Sequence, residues 1–261
     1  MKMNLNGFQL KVVGLITMVI DHIGEFFSFL GAPIWFHWIG RIAAPIFLFE
    51  SSEGFIHTRN RKKYMLRLLV GFWIMQIVTY ILNTYFAVGN TLIINNIFGT
   101  LFLGTVYMQS IEYLKKSNRS IAKALLWFLL PTTLSFVPLI LLGSATTSPL
   151  TLTISRLFNF LVPTLFLTEG GILFVLLPVL FYLFHNKKLL QIISLTVIAA
   201  LSTGFSTQGL FSTNYQWMMI LAVVPIIMYN GEKGKSMRYF FYIFYPAHIA
   251  LFAILSFFMQ K

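Results

Sequence analysis

Asp21 and His22 stand in the middle of an apolar run from Phe8 to Leu30, and Arg41 and Glu53 stand inside the next, Trp35 to His57. A charged side chain near the centre of a bilayer costs at least ~2.5–3.5 kcal/mol on insertion scales, so such residues usually carry a task. A histidine beside a carboxylate is a usable general base, because the carboxylate fixes its tautomer and raises its basicity. Sequence neighbours diverge around a helix, so Glu25 or Glu53 is better placed than Asp21 to orient His22. A guanidinium such as that of Arg41 can neutralise a developing oxyanion or hold a carboxylate. The alternative is that Asp21, Arg41 and Glu53 form ion pairs that only fix helix packing.

Glu50, Glu53 and His57 follow i, i+3 and i+7 and so share one helical face. That face descends to the stretch His57-Thr58-Arg59-Asn60-Arg61-Lys62-Lys63. Its cationic side chains suit the phosphates of a soluble donor, with Arg59, Lys62 and Lys63 the expected contacts. A basic loop is also what any cytoplasmic turn of a membrane protein looks like.

The elements that must position these groups follow from composition. Of 261 residues, 57% are hydrophobic and 10% charged, and the mean hydropathy is +0.80. Soluble domains carry about 25% charged residues, so the chain reads as an all-α, polytopic helical bundle in a lipid bilayer, organised as one domain over residues 1–261. The net charge of +12 is spread over short loops in the positive-inside pattern, which argues against a nucleic-acid partner. The absence of cysteine excludes disulfides, thiolate metal sites and a cysteine nucleophile. Lys2 before an apolar run mimics a signal peptide, but the run is long, contains Asp21 and His22, and lacks a small-residue cleavage site. It reads as a retained first span.

A hydrocarbon core about 30 Å thick needs roughly 20 helical residues per crossing. Candidate spans are 8–30, 35–57, 64–87, 91–114, 121–142, 166–184, 188–206, 213–230 and 238–259, about nine in all. Every second loop is basic: Arg59 to Lys63 with Arg67, then Lys115, Lys116, Arg119 and Lys123, then Lys187 and Lys188, then Lys233, Lys235 and Arg238. Apart from Arg156, the other loops have almost no Lys or Arg. The alternation puts the N-terminus in the cytoplasm and the C-terminus outside, in a multi-pass protein of the cell (cytoplasmic) membrane. The stretch 143–164 reads either as a re-entrant element around Leu157 to Leu161 or as an external loop.

At about 1.5 Å per residue, Asp21 lies ~20 Å and Arg41 ~24 Å from the cytoplasmic ends of their antiparallel spans, so His22 and Arg41 are expected to meet. His248, in the last span after Tyr245 and Pro246, either faces the same cavity or packs as a bundle histidine. Glu169 either contacts an extracytoplasmic acceptor or reaches water as an interfacial carboxylate. His37, His185 and Glu112 fall at span ends and are expected to be solvated. Asn118-Arg119-Ser120 matches a glycosylation acceptor but falls in a predicted cytoplasmic loop. No tight histidine cluster suggests a metal site.

At these residues the chain resembles a known family. The blocks "LKVVGLITMVIDHIG", "IGRIAAPIFLFESSEGFIHTRNRKKYMLRLL", "NNIFGTLFLG", "TEGGILFVLLPVLFYLF" and "YNGEKGKSMRYFFYIFYPAHI" resemble the TraX family in order and spacing. That family is named for a membrane acetyltransferase that acetylates the N-terminus of conjugative F pilin. It is also distantly similar to transmembrane acyltransferases of sugars, in which an intramembrane histidine serves acyl transfer. Residue by residue, the resemblance covers Asp21, His22, Arg41, Glu53, Gly54, His57, Thr58, Arg59, Asn60, Tyr245, Pro246 and His248. Gly170 departs from it, standing after Glu169 where a tyrosine is expected.

The expectation is an acetyl-CoA-dependent acyltransferase acting on an amine or hydroxyl of a peptide, pilin-like or envelope-glycan acceptor. His22, Asp21, Arg41 and Glu53 would be catalytic, and His57, Arg59, Asn60, Lys62 and Lys63 would hold the acyl-CoA donor. His248, Tyr245 and Glu169 would line the acceptor site. The rivals are a proton-coupled secondary transporter, and a non-catalytic membrane scaffold.

Overall fold

The computed structural model describes residues 4–87, 92–115, 120–143 and 148–260. Lys2, Lys116, Asn118 and Arg119 lie outside the described residues, as do positions 144–147 of the ambiguous stretch. The chain is all-helical, and no strand occurs among the described residues. The helices are α1 Gly7–Phe26, α2 Trp35–Gly40, α3 Ala43–His57, α4 Arg61–Tyr85, α5 Ile97–Lys115, α6 Ile121–Leu142, α7 Pro149–Leu161, α8 Gly171–Leu183, α9 Lys188–Leu201, α10 Val223–Ile227 and α11 Arg238–Met259. A 3₁₀ segment, Tyr215–Ala222, runs straight into α10.

Four of these are long and apolar enough to cross a membrane: α1, α4, α6 and Tyr239–Met259 of α11. α5, in the fourth, has 19 residues but is less apolar, and the other candidate spans contain shorter or interrupted helices. The second is broken after Gly40, where Arg41 and Ile42 form a turn between α2 and α3. The eighth is the 3₁₀ segment plus α10.

Local chemistry sets the ends. Asn6 and Gln9 exchange side-chain to backbone hydrogen bonds of 3.0 Å each, a capping box that starts α1. Asn60 accepts from the Lys63 amide at 2.9 Å and starts α4. Ser148 caps α7 with Pro149 in its first turn.

α7 occupies the stretch that sequence left open. Its last carbonyls, on Asn159 and Leu161, accept from Gln76 and Trp73 in the middle of α4, at 2.7 and 2.8 Å. The irregular segment 162–170 follows, buried at 163–165. The Leu165 amide donates to Ser135 of α6 at 2.9 Å, and the Thr100 hydroxyl of α5 donates to the Glu169 carbonyl at 2.7 Å. Gly170 and Gly171 take positive φ of 71° and 56° to turn the chain into α8. The Phe174 ring packs where a Cβ on Gly170 would stand, so this turn requires glycine twice over.

The basic residues gather at one end. Arg61 of α4 pairs with Glu112 of α5, and the Glu112 carboxylate also accepts from Tyr182 of α8. Lys188 donates to the Tyr229 carbonyl at 2.9 Å. The Gly7 amide donates to the Glu232 carbonyl at 2.7 Å, which brings Lys233 and Lys235 beside the start of α1. Glu112 and His185 are thus bonded rather than free in solvent, because the helix ends converge here.

Candidate functional site

Successive residues on α1 point about 100° apart, and the structure sends Asp21 and His22 to different neighbours. Asp21 faces α2. Its side chain packs directly against Gly40, and any Cβ there would collide with it. From that position Asp21 accepts from His37 Nδ1 at 2.8 Å and from the Arg41 guanidinium. Arg41 also donates to Gln216 Oε1 at 3.0 Å and stacks on Tyr215. Arg41 therefore serves Asp21 rather than His22. His37, expected to be solvated, is part of this part-buried cluster.

His22 faces α11 and is only 5% exposed. Its Nδ1 lies 2.7 Å from His248 Nε2, and His248 Nδ1 lies 2.8 Å from the Phe244 carbonyl. A carbonyl only accepts, so His248 carries its hydrogen on Nδ1. Its bare Nε2 must accept from His22 Nδ1–H, which leaves His22 Nε2 as the basic nitrogen. Asn95 donates to that nitrogen at 3.2 Å and to Glu25 Oε2 at 3.1 Å. Glu25 Oε2 itself is 3.9 Å from His22 Nε2. The backbone of α11 thus fixes one tautomer in each ring, and Glu25 is the carboxylate nearest the basic nitrogen.

Tyr245, one turn before His248, donates to Glu169 Oε2 at 3.3 Å and accepts from the Ile97 amide at the start of α5. Glu169 is partly exposed and bonded on the irregular segment before α8.

Glu53 is bonded to other partners. His185 Nδ1 donates to its Oε1 at 3.0 Å, Tyr229 donates to its Oε2 at 3.4 Å, and His57 Nδ1 lies 3.8 Å from Oε2. Glu53, Glu50 and His57 line a cavity of about 450 Å³ with Lys11, Arg67, Lys233 and Lys235. Lys11 pairs with Glu50 Oε2 at 2.6 Å. Glu50 Oε1 and Arg67 Nε are buried without a hydrogen-bond partner among the described residues. The inner end is closed by Met18, Phe244 and Tyr245. Met18 precedes His22 by one turn of α1, and Phe244 precedes His248 by one turn of α11. The cavity therefore runs from the basic end to one helical turn short of the paired imidazoles.

Arg59, Asn60 and Lys62 do not line that cavity. They belong to a second one of about 380 Å³, with Gln109, Tyr113 and Trp127. Thr58 touches both. Lys63 lines neither, because Asn60 turns the chain into α4 and directs it outward. Four site residues escaped the sequence reading: Asn95, Gln216, Lys11 and the bonded role of His37. Asn95 and Asn96 precede an apolar run with no charge to draw notice, and the partner of Asn95 is 73 residues away.

The TraX protein family model matches residues 6–256. The chain belongs to the TraX family. A relative from Dichelobacter nodosus, described as "Probable fimbrial assembly protein FimC, serogroup H1", is 25% identical over 275 aligned residues, covering 98% of each chain. No solved structure matches. The TraX match takes in α1 through nearly all of α11, and so both histidines of the pair, both cavities and the Asp21–Arg41 cluster.

Proposed function

We propose that this TraX protein is a membrane-embedded acyltransferase that moves an acetyl group from acetyl-CoA to an amine or hydroxyl of a peptide, pilin-like or envelope-glycan acceptor. One observation carries the reading: a cavity with a basic mouth ends one turn from two imidazoles whose tautomers are fixed. The relative named for fimbrial assembly supports a peptide acceptor of the pilin kind. The whole chain acts as one unit in the cytoplasmic membrane. Its basic end and N-terminus face the cytoplasm, and the shorter helices complete about nine crossings.

The donor suits the larger cavity. Lys233 and Lys235 at the mouth offer cations to its phosphates, while the carboxylates of Glu50 and Glu53 keep those phosphates from entering further. The apolar depth beyond, lined by Leu15, Leu68, Leu101 and Phe241, suits the uncharged thioester arm. A volume of about 450 Å³ lies within the roughly 300–1,000 Å³ common for ligand pockets.

His22 is the base. Its Nε2 takes the proton as the acceptor's N–H or O–H bond breaks and that atom bonds to the thioester carbonyl carbon. The C–S bond then breaks, and the proton passes to the departing thiolate. His248 holds the ring by accepting its other hydrogen, and Glu25 balances the imidazolium while the proton is on it. Arg41 keeps the α1–α2 wall in place through Asp21 and does not touch the reacting atoms.

Mass spectrometry of cell-envelope components from cells with and without the gene tests the reading. An acetylated species that disappears with the gene supports it, and identical acetylation overturns it.

One feature favours a proton-coupled transporter instead. The interrupted path α7–(162–170)–α8, with the Thr164 and Thr168 hydroxyls buried and unpartnered among the described residues, resembles the broken helices of transporter cores. Solute counterflow in proteoliposomes lacking acyl-CoA would decide for that rival.

A further inference from the structure

The smaller cavity is left over by the acyltransferase reading, and it has the makings of a separate site. It lies at the basic end between the start of α4, the end of α5 and the start of α6. Arg59 and Lys62 line it, and neither side chain has an ion pair or hydrogen bond among the described residues. Arg61 is neutralised by Glu112. Two uncompensated cations therefore face one cleft.

The floor adds a second, independent sign. Gln109 of α5 is only 7% exposed and lines the cleft, yet its side-chain amide has no hydrogen-bond partner among the described residues. The amide is open to the cleft and can donate to or accept from an occupant. The wall is aromatic: Trp127 of α6 and Tyr113 of α5 have ring centroids 6.1 Å apart. Beside Trp127, α6 presents Leu125, Leu126 and Leu129 outward. This helix is the least covered of the four long apolar ones.

Cations and an amide donor within the cleft, an indole at its edge and an apolar helix face running away from it match the parts of an anionic phospholipid. The phosphate would meet Arg59, Lys62 and Gln109, the glycerol region would meet Trp127, and an acyl chain would lie along α6. We infer that this cleft is a binding site for the headgroup of an anionic phospholipid. It stands whether or not the larger cavity performs acyl transfer.

The test uses the full chain purified in detergent, with thermal unfolding followed during titration with phosphatidylglycerol or phosphatidylcholine. Phosphatidylglycerol is expected to raise the midpoint and phosphatidylcholine is not. The Arg59→Gln/Lys62→Gln double variant and, separately, Gln109→Leu should lose at least half of that rise. Lys187→Gln, which removes a charge from the same end outside the cleft, should keep it. Arg59 and Lys62 are exposed, so their replacement leaves folding intact. An equal rise in wild type and double variant, or no preference for the anionic lipid, overturns the inference. Native mass spectrometry supplies the second arm: displacement of retained lipid by adenosine 3′,5′-bisphosphate would assign the cleft to a soluble phosphate and overturn the lipid source.

Discussion

His22 donates its Nδ1 hydrogen to Nε2 of His248 across 2.7 Å, joining the first helix to the last. The Phe244 carbonyl sets the direction of that bond, because it can only accept from the other side of His248. The base is therefore oriented by a second histidine, whereas the sequence suggested a carboxylate. In the His248→Ala variant, the buried Nδ1–H of His22 loses its acceptor, at a cost of about 1–3 kcal/mol. Turnover should fall at least tenfold with the donor KM little changed. His248→Gln, which restores an acceptor, should recover part of the loss. Equal activity in both variants and wild type would remove His248 from the account.

Asp21 and Arg41 form the second fixed relationship. The pair is part-buried, so removing one partner leaves the other charge poorly compensated, whereas removing both is milder. Arg41→Met should lower the unfolding midpoint strongly, and Asp21→Asn/Arg41→Met should recover most of the loss. The check is a double-mutant cycle by thermal unfolding in detergent. Strictly additive effects would mean that the pair contributes no coupling.

The close approach of Gly40 to Asp21 gives a sterically defined variant. Gly40→Ala inserts a methyl where the Asp21 side chain lies, and such overpacking costs about 1–3 kcal/mol. The midpoint should drop, and the drop should shrink in an Asp21→Ala background. A Gly40→Ala protein as stable as wild type would contradict the packing described.

Much of this arrangement was legible in the sequence, and the remainder failed for physical reasons. α1, α4, α6 and α11 announce themselves as long apolar runs, and the i, i+3, i+7 face of Glu50, Glu53 and His57 does line one cavity. The break after Gly40 is silent, because it depends on Asp21 packing from another helix. His37 and His185 looked solvated since they end apolar runs, but their carboxylate partners lie 16 and 132 residues away. The depth estimate put His22 and Arg41 at one level, yet depth says nothing of azimuth. Asp21 and His22 turn to different neighbours about 100° apart, so Arg41 meets Asp21 and not His22. Lys11, inside the first apolar run, drew no notice until Glu50 appeared beside it.

At the mouth of the larger cavity, Lys233 and Lys235 should act on donor binding. Lys233→Gln/Lys235→Gln should raise the acetyl-CoA KM several-fold with kcat within about twofold. The difference should fade in high salt, where the screening length falls to about 3 Å at 1 M. Steady-state kinetics at two ionic strengths provide the check, and an unchanged KM would move the phosphates elsewhere.

The central claim is that His22 is the base of an acetyl transfer. Its most direct measurement is envelope mass spectrometry of a strain lacking the gene, complemented with wild type or with His22→Ala at matched membrane levels. A general base contributes about 10²–10⁴-fold. The account predicts that wild type restores the acetylated species while His22→Ala leaves it undetectable. Full restoration by His22→Ala would contradict it.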